Sequence, residues 1–232
     1  MKNLTPGALL AFLLLAGCAH QPEQMPIGDW SERQAQLDKL NHWQVTGKLG
    51  VRIPGDNGSA NLRWRQENKH YNIDLSGPLG SGRVAISGQP GQVNMQQAGE
   101  QPLSATTAEE LILYSTGWTI PVAQLVYWVR ALPAPEQKVT HWEKNELDQI
   151  TLLEQAGWRV QYSQYQPVST GVTISGTTSG SNAGEQQYIL LPGRVIAEYG
   201  DVRLTLVIRE WLLEDGKEEG KKETKREKGK LP

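Results

Sequence analysis

The chain has 232 residues, with 8 Trp, 7 Tyr, 24 Gly and 13 Pro but a single Phe and a single Cys. That length suits one β-rich domain or two small ones, and one cysteine excludes an internal disulfide framework and every multi-cysteine metal site. Charge is nearly balanced, 23 basic against 25 acidic residues, which leaves no nucleic-acid footprint, and the one strongly apolar run is too short for a multi-pass membrane protein.

That run, Gly7–Leu15, follows Lys2 and leads into Leu15-Ala16-Gly17-Cys18. A short basic segment, an apolar stretch and small residues make a secretory signal. With Cys18 after the small pair, the end of the signal resembles the lipobox of bacterial lipoproteins. Such a cysteine accepts a diacylglyceryl group on sulfur, is freed by cleavage after Gly17 and takes a further acyl chain on its amine. Two or three chains anchor a protein durably where one is marginal. Ala19, rather than Asp, follows the cysteine, which by resemblance to the bacterial sorting rule implies the outer membrane. An ordinary signal peptide with an incidental cysteine is the plainer alternative. Residues 1–17 are thus expected to be removed and 18–29, without apolar period, to form a tether.

From Trp30 to Leu40 the apolar residues Trp30, Leu37 and Leu40 share one helical face, with Asp29 as N-cap. The period then changes from helical to alternating. Trp43, Val45, Leu49, Val51 and Ile53 predict a strand, as do Ala60, Leu62 and Trp64 beyond the turn at Pro54–Gly58. Tyr71, Ile73 and Leu75 continue the pattern, followed by Val84 and Ile86, then Val93 and Met95. Short turns between such segments favour antiparallel neighbours.

Two helices are predicted in the middle. The first opens on a capping box of Thr106 with Glu109 and ends near Gly117. The second starts at Pro121 in its first turn and runs to Arg130, with Pro133 and Pro135 preventing continuation. Strand patterning returns at Ile150 and Leu152, at Trp158, Val160 and Tyr162, and at Val202–Ile208 after a Gly200-Asp201 turn. The Ser/Thr/Gly-rich stretch 168–184 reads either as a decorated hairpin or as an insertion. The end, residues 216–232, carries seven basic and four acidic residues and only Leu231 as an apolar one. It cannot offset its chain entropy by burial and is expected to be disordered.

The body, residues 30–215, therefore has many strands and few helices to cover one apolar sheet face. The fold class expected is mainly β (α+β): a curved antiparallel sheet forming an unclosed barrel, with a short helical lid over a hydrophobic cavity. Trp43, Trp64, Trp128, Trp158 and Trp211, with Leu62 and Leu111, are the candidate liners; filling a solid core is the competing role for each. Leu79, in Ser76-Gly77-Pro78-Leu79-Gly80-Ser81-Gly82, is an apolar residue at a turn tip, presented to lipid or folded back on the core rim. His20, His42, His70 and His141 have no metal-ligand spacing, and no nucleophile elbow, phosphate loop or dinucleotide fingerprint occurs. Glu109-Glu110 at a helix start complements the helix dipole. No enzyme is expected, and no metal or dissociable cofactor beyond the acyl groups on Cys18.

Cys18, Gly47 and Leu49, Trp64, Gly77-Pro78-Leu79-Gly80, Ala108-Glu109-Glu110-Leu111, Ile120-Pro121, Trp128-Val129-Arg130-Ala131-Leu132-Pro133, Gly157-Trp158 and Trp211 together resemble the outer-membrane lipoprotein receptor LolB family, from the signal to about Leu213. The departures are the Ser/Thr/Gly-rich stretch before Gly184 and the charged end after Asp215. The resemblance implies a lipid-anchored protein facing the periplasm, acting as a monomer. It would accept lipoprotein acyl chains from the periplasmic carrier LolA into its hydrophobic cavity, for which Leu62, Trp64, Leu111 and Trp128 are the candidate liners. It would then release that cargo into the inner leaflet of the outer membrane. Leu79 falls on the family's protruding apolar loop, linked to insertion. The alternatives are a half-barrel lipoprotein that senses or carries lipid without inserting it, and a β-scaffold lipoprotein with a filled core.

Overall fold

A computed structural model describes residues 29–117, 119–174 and 185–214. The expectations for the signal and tether, for the centre of the Ser/Thr/Gly-rich stretch and for the charged end fall outside these residues.

Helix α1 spans Trp30–Asp38, and Asp29 caps it by accepting from the Ser31 amide. Strands β1 His42–Ile53, β2 Asp56–Glu67 and β3 His70–Ser76 follow, then a 3-10 turn at Pro78–Gly80. Next come β4 Val84–Gln89, β5 Gln92–Gln97, β6 Leu103–Ala105, and helices α2 Ala108–Thr116 and α3 Val122–Trp128. The remainder is β7 Val139–Lys144, β8 Ile150–Gln155, β9 Trp158–Ser163, β10 Gln166–Ile174, β11 Glu185–Leu191, β12 Arg194–Tyr199 and β13 Val202–Leu213.

One antiparallel sheet of 11 strands runs β6-β5-β4-β3-β2-β1-β13-β12-β9-β8-β7, and β10 and β11 pair as a separate ribbon. The edge strands β6 and β7 do not meet, so the barrel is unclosed. Strand β1 pairs with β13 at the centre, Val45 opposite Trp211 and Leu49 opposite Leu206, which joins the two ends of the domain. The β1–β2 turn needs only Pro54 and Gly55, since Ile53 already pairs with Asp56; Gly55 takes the positive φ that a tight turn requires. That turn fixes the register and puts Trp43 with Gln66, Val45 with Trp64 and Gly47 with Leu62 on one face.

Gly47 sits where β1 is irregular against β13, between Thr46 and Gly47. A Cβ there would overlap the Val207 carbonyl oxygen and crowd the Ile208 Cα. Both obstacles are backbone in a paired strand. Gly47→Ala is therefore expected to cost about 1–3 kcal/mol, as overpacking in a core does, read as a lower midpoint in urea unfolding.

The covering helices differ from expectation in detail. The capping box is formed by Thr107 and Glu110, one residue beyond the expected Thr106 and Glu109. Adjacent identical pairs made both registers available; Glu109 is used elsewhere, accepting from the Ala123 amide at 2.8 Å at the start of α3. Pro121 occupies the N-cap rather than the first turn, and α3 ends at Trp128 rather than Arg130. The chain turns there: Leu132 donates back to the Tyr127 carbonyl and Ala131 takes a positive φ of 58°. Gly117 ends α2 in the left-handed conformation, as expected. The start of the Ser/Thr/Gly-rich stretch lies in β10, which pairs with β11 beyond the stretch, Val168 opposite Ile189.

Candidate functional site

The concave face of the sheet is built from alternating residues of β1, β2, β9, β12 and β13, and α3 lies over it. Leu62, Trp64 and Trp128 belong to one buried cluster with Trp43, Trp158 and Trp211. The rings pack against one another: the Trp43 ring centroid lies 5.1 Å from that of Trp64 and 5.6 Å from that of Trp211, and those of Trp128 and Trp158 are 6.0 Å apart. Leu111 is apart from these. It packs in a second cluster with Ile86, Val93, Met95, Ala108 and Val122, where α2 and the start of α3 cover the β4–β6 end. Of the four candidate acyl-cavity residues the structure thus unites three, and all four are buried. In this conformation the aromatic side chains and α3 occupy the space around them.

A cleft of about 610 Å³ remains at one end of this interior. It lies between the end of α1, the adjoining ends of β1 and β2, and α3 with the turn that follows it. Leu40, Trp43, Gln66, Val126, Tyr127 and Arg130 are among its lining residues. Asp38 and Lys69 reach its rim, both exposed.

Arg130 and Gln155 tie this end together. The Arg130 side chain is buried, donating from Nη1 to the Leu37 and Leu40 carbonyls at 3.0 and 2.9 Å and from Nε to Val126 at 3.2 Å. It thereby caps the C-terminal end of α1 with positive charge. Burial pulls its pKa below the ordinary arginine value, opposed by Tyr127 and Asp38, and it stays cationic. Gln155, fully buried on β8, accepts from Trp128 Nε1 at 2.9 Å and the Ala134 amide at 2.8 Å. Its amide donates to the Ala134 and Gln137 carbonyls at 2.9 and 2.7 Å. One side chain so fastens both the end of α3 and the segment after it. Neither role was expected from sequence, because Gln and Arg usually mark a solvent face. A signal was present all the same: Gln66 follows Leu62 and Trp64, and Gln155 follows Leu153, at the two-residue spacing of one strand face.

At the other end, Glu109 joins α2 to α3 as described. It also faces Tyr71, whose hydroxyl is pushed up to about 12, first by burial and then by that carboxylate. Leu113 and Tyr114 near the end of α2 are exposed, Tyr114 by 80%; the sequence marked them only as helix.

Leu79 is the central residue of the 3-10 turn between β3 and β4. Gly77 donates to the Ser81 carbonyl at 2.7 Å, the Ser81 hydroxyl to the Pro78 carbonyl at 2.9 Å, and Gly80 has a φ of 81°. The backbone turn is therefore closed by its own bonds, and Pro78 and Gly80 are exposed. The side chain of Leu79, like the whole of Cys18, lies outside what the structure describes. Among the described residues no group of three His, Cys, Asp or Glu side chains is placed to hold a metal, and no helix is long and apolar enough to cross a membrane.

A family model described as outer membrane lipoprotein LolB matches residues 41–211. The outer-membrane lipoprotein LolB of Cellvibrio japonicus is 44% identical over 206 residues, 89% of this chain and 95% of that protein. The LolB of Pseudomonas savastanoi pv. phaseolicola is 38% identical over 204 residues, 85% of this chain and 90% of that protein. Among solved structures, a LolA superfamily protein from Nitrosomonas europaea aligns with a TM-score of 0.43 at 10% identity, over 81% of this chain and 94% of that one. With a match across nearly all of the folded body and relatives this similar along their length, the chain belongs to the LolB family of outer-membrane lipoproteins.

Proposed function

We propose that this outer-membrane lipoprotein receives other lipoproteins from the periplasmic carrier LolA, holds their acyl chains against the concave face, and inserts them into the inner leaflet of the outer membrane. The observation that carries the proposal is the unclosed sheet with an apolar concave face covered by two short helices, in a chain of the LolB family. Each acyl methylene removed from water is worth about 0.8 kcal/mol, so free diffusion of a multiply acylated protein through the periplasm is excluded. Hand-over then needs no ATP, only a receptor that holds the chains better than the donor does. Trp64 and Leu62 from β2 and Trp128 from α3 would form the wall and the movable cover, since separating α3 from the sheet exposes them together. Depletion of the protein tests the proposal in cells. Lipoproteins should accumulate in the periplasm bound to the carrier; normal outer-membrane delivery after depletion would defeat it.

Cys18 would carry the anchor. Mass spectrometry of protein extracted from native membranes should find acyl groups on an N-terminal Cys18, and an unacylated mass would remove the anchor from the proposal. A form lacking Cys18 should fold unchanged, because the core described above does not involve that residue.

The dense packing of Trp43, Trp64, Trp128 and Trp158 supports a second reading, a β-scaffold lipoprotein with a filled core. A fluorescent fatty acid separates the two. Acyl binding should quench tryptophan emission, and Trp128→Glu should abolish that quenching. Silent titration with the wild-type protein would favour the scaffold.

A further inference from the structure

The indole N–H groups of the interior are treated unequally. Trp64 donates to Gln66 Oε1 at 3.2 Å, Trp128 to Gln155 Oε1 at 2.9 Å and Trp211 to the Pro192 carbonyl at 3.0 Å. Trp43 is 1% exposed, yet its Nε1 has no acceptor among the described residues. A buried donor without an acceptor is costly, and phenylalanine would fill much of the same space without that cost. Trp43 lines the 610 Å³ cleft.

Arg130 lines the same cleft and is 5% exposed. Its hydrogen bonds leave from Nε and Nη1, so Nη2 is without one among the described residues. The Gln66 amide, by contrast, is committed on both sides, accepting from Trp64 and donating to the Asn68 carbonyl at 2.8 Å. Other buried donors without acceptors, Arg33 Nε, Tyr162 Oη and Gln166 Nε2, belong to residues that do not line the cleft. The cleft is therefore lined by one residue with a buried donor that lacks an acceptor, Trp43, by Arg130, whose Nη2 makes no hydrogen bond among the described residues, and by apolar walls from Leu40 and Val126. Its exposed rim charges, Asp38 and Lys69, offset each other.

A group that fits is rich in acceptors, carries apolar chains and bears no acid proton of its own. We infer that this cleft is a subsite for the ester carbonyls of a diacylated glyceryl group, held by Trp43 Nε1 and Arg130 Nη2 while the chains run on beneath α3. This rests on the proposed acyl-holding function and adds to it a polar check on what the chains are attached to. Such carbonyls occur both on the acylated cysteine of a lipoprotein and on a membrane phospholipid. Trp43 is a binding residue here; Arg130 also holds α1, so its replacement would confound binding with folding.

The test compares a diacylglyceryl-cysteine peptide, whose chains are ester-linked, with its dialkyl ether analogue, on the protein lacking Cys18. Wild type should bind the diester about tenfold more tightly than the diether, the worth of one or two buried hydrogen bonds. Trp43→Phe should bring the diester down to the diether's affinity and leave the diether unchanged. Should that variant fold poorly, the wild-type Trp43 indole proton resonance decides instead: it should move downfield with the diester and not with the diether. Equal binding of the two compounds by wild type, with no shift of that resonance, overturns the subsite while leaving acyl binding intact. Failure to bind either compound defeats the acyl-holding reading itself. Competition by a short-chain diacyl phosphatidylglycerol would assign the carbonyls to membrane lipid; its absence would assign them to the acylated cysteine.

Discussion

Gln155→Leu is expected to destabilise the protein by about 3 kcal/mol or more, the cost of stranding several buried polar groups at once. The substitution keeps the side-chain volume close to native but leaves Trp128 Nε1, the Ala134 amide, and the Ala134 and Gln137 carbonyls without their partner. All of these belong to the end of α3 and the segment after it. The loss should therefore be local as well as global. Amide exchange around 128–137 should accelerate beyond what the change in overall stability explains. Urea unfolding gives the total and hydrogen exchange the distribution. A cost below about 1 kcal/mol would place it among ordinary surface substitutions and show that α3 is held by apolar packing alone.

The second large effect concerns Leu79. Its turn is closed by backbone and Ser81 bonds and stiffened by Pro78, so Leu79→Glu should leave stability within about 0.5 kcal/mol of native. Acceptance of cargo should persist, since Leu62, Trp64, Leu111 and Trp128 are unchanged. Delivery into liposomes should fall at least about tenfold, because a carboxylate at the tip resists transfer from water into the bilayer. Equal delivery by variant and wild type would refute the insertion role. A strongly destabilised variant would show that Leu79 folds back on the core.

How far the fold could be read from the residues follows from where apolar alternation was visible. Trp43–Ile53, Ala60–Trp64 and Val202–Ile208 alternate cleanly because each turns one face inward, buried at Trp43 and Val45, at Leu62 and Trp64 and at alternate residues from Val202 to Ile208, and half-buried at Leu49, Val51 and Ile53, and both central helices carry stop signals in Gly117 and Pro133. Strand β7 escaped detection. It is an edge strand with Thr140, His141, Glu143 and Lys144 exposed, so no face of it is apolar enough to show a period. Strand β6 has only three residues, too few for any period. The capping-box register was ambiguous between two Thr–Glu pairs, and only Glu109's engagement with the start of α3 resolves it. At the site, the aromatic liners were legible as apolar residues in strand phase. Their separation into two clusters was not, since alternation shows which residues turn inward but not which strands each helix covers; α2 lies on β5 and β6, the strands just before it, and not on β1 and β2. Gln66, Arg130 and Gln155 were hidden for a different reason. Their burial is offset by specific hydrogen bonds, and a pattern that scores polarity alone assigns them to solvent.

The proposed passage of acyl chains from the carrier into this protein can be followed by transfer between two soluble partners. A lipoprotein with a fluorescent acyl chain, loaded on LolA, is mixed with the form of this protein lacking Cys18, and the two are separated by affinity capture. The label should leave the carrier and be recovered on this protein at one cargo per chain, without ATP, and Trp128→Glu should prevent the move. Label remaining on the carrier with folded wild-type protein in excess would contradict that passage.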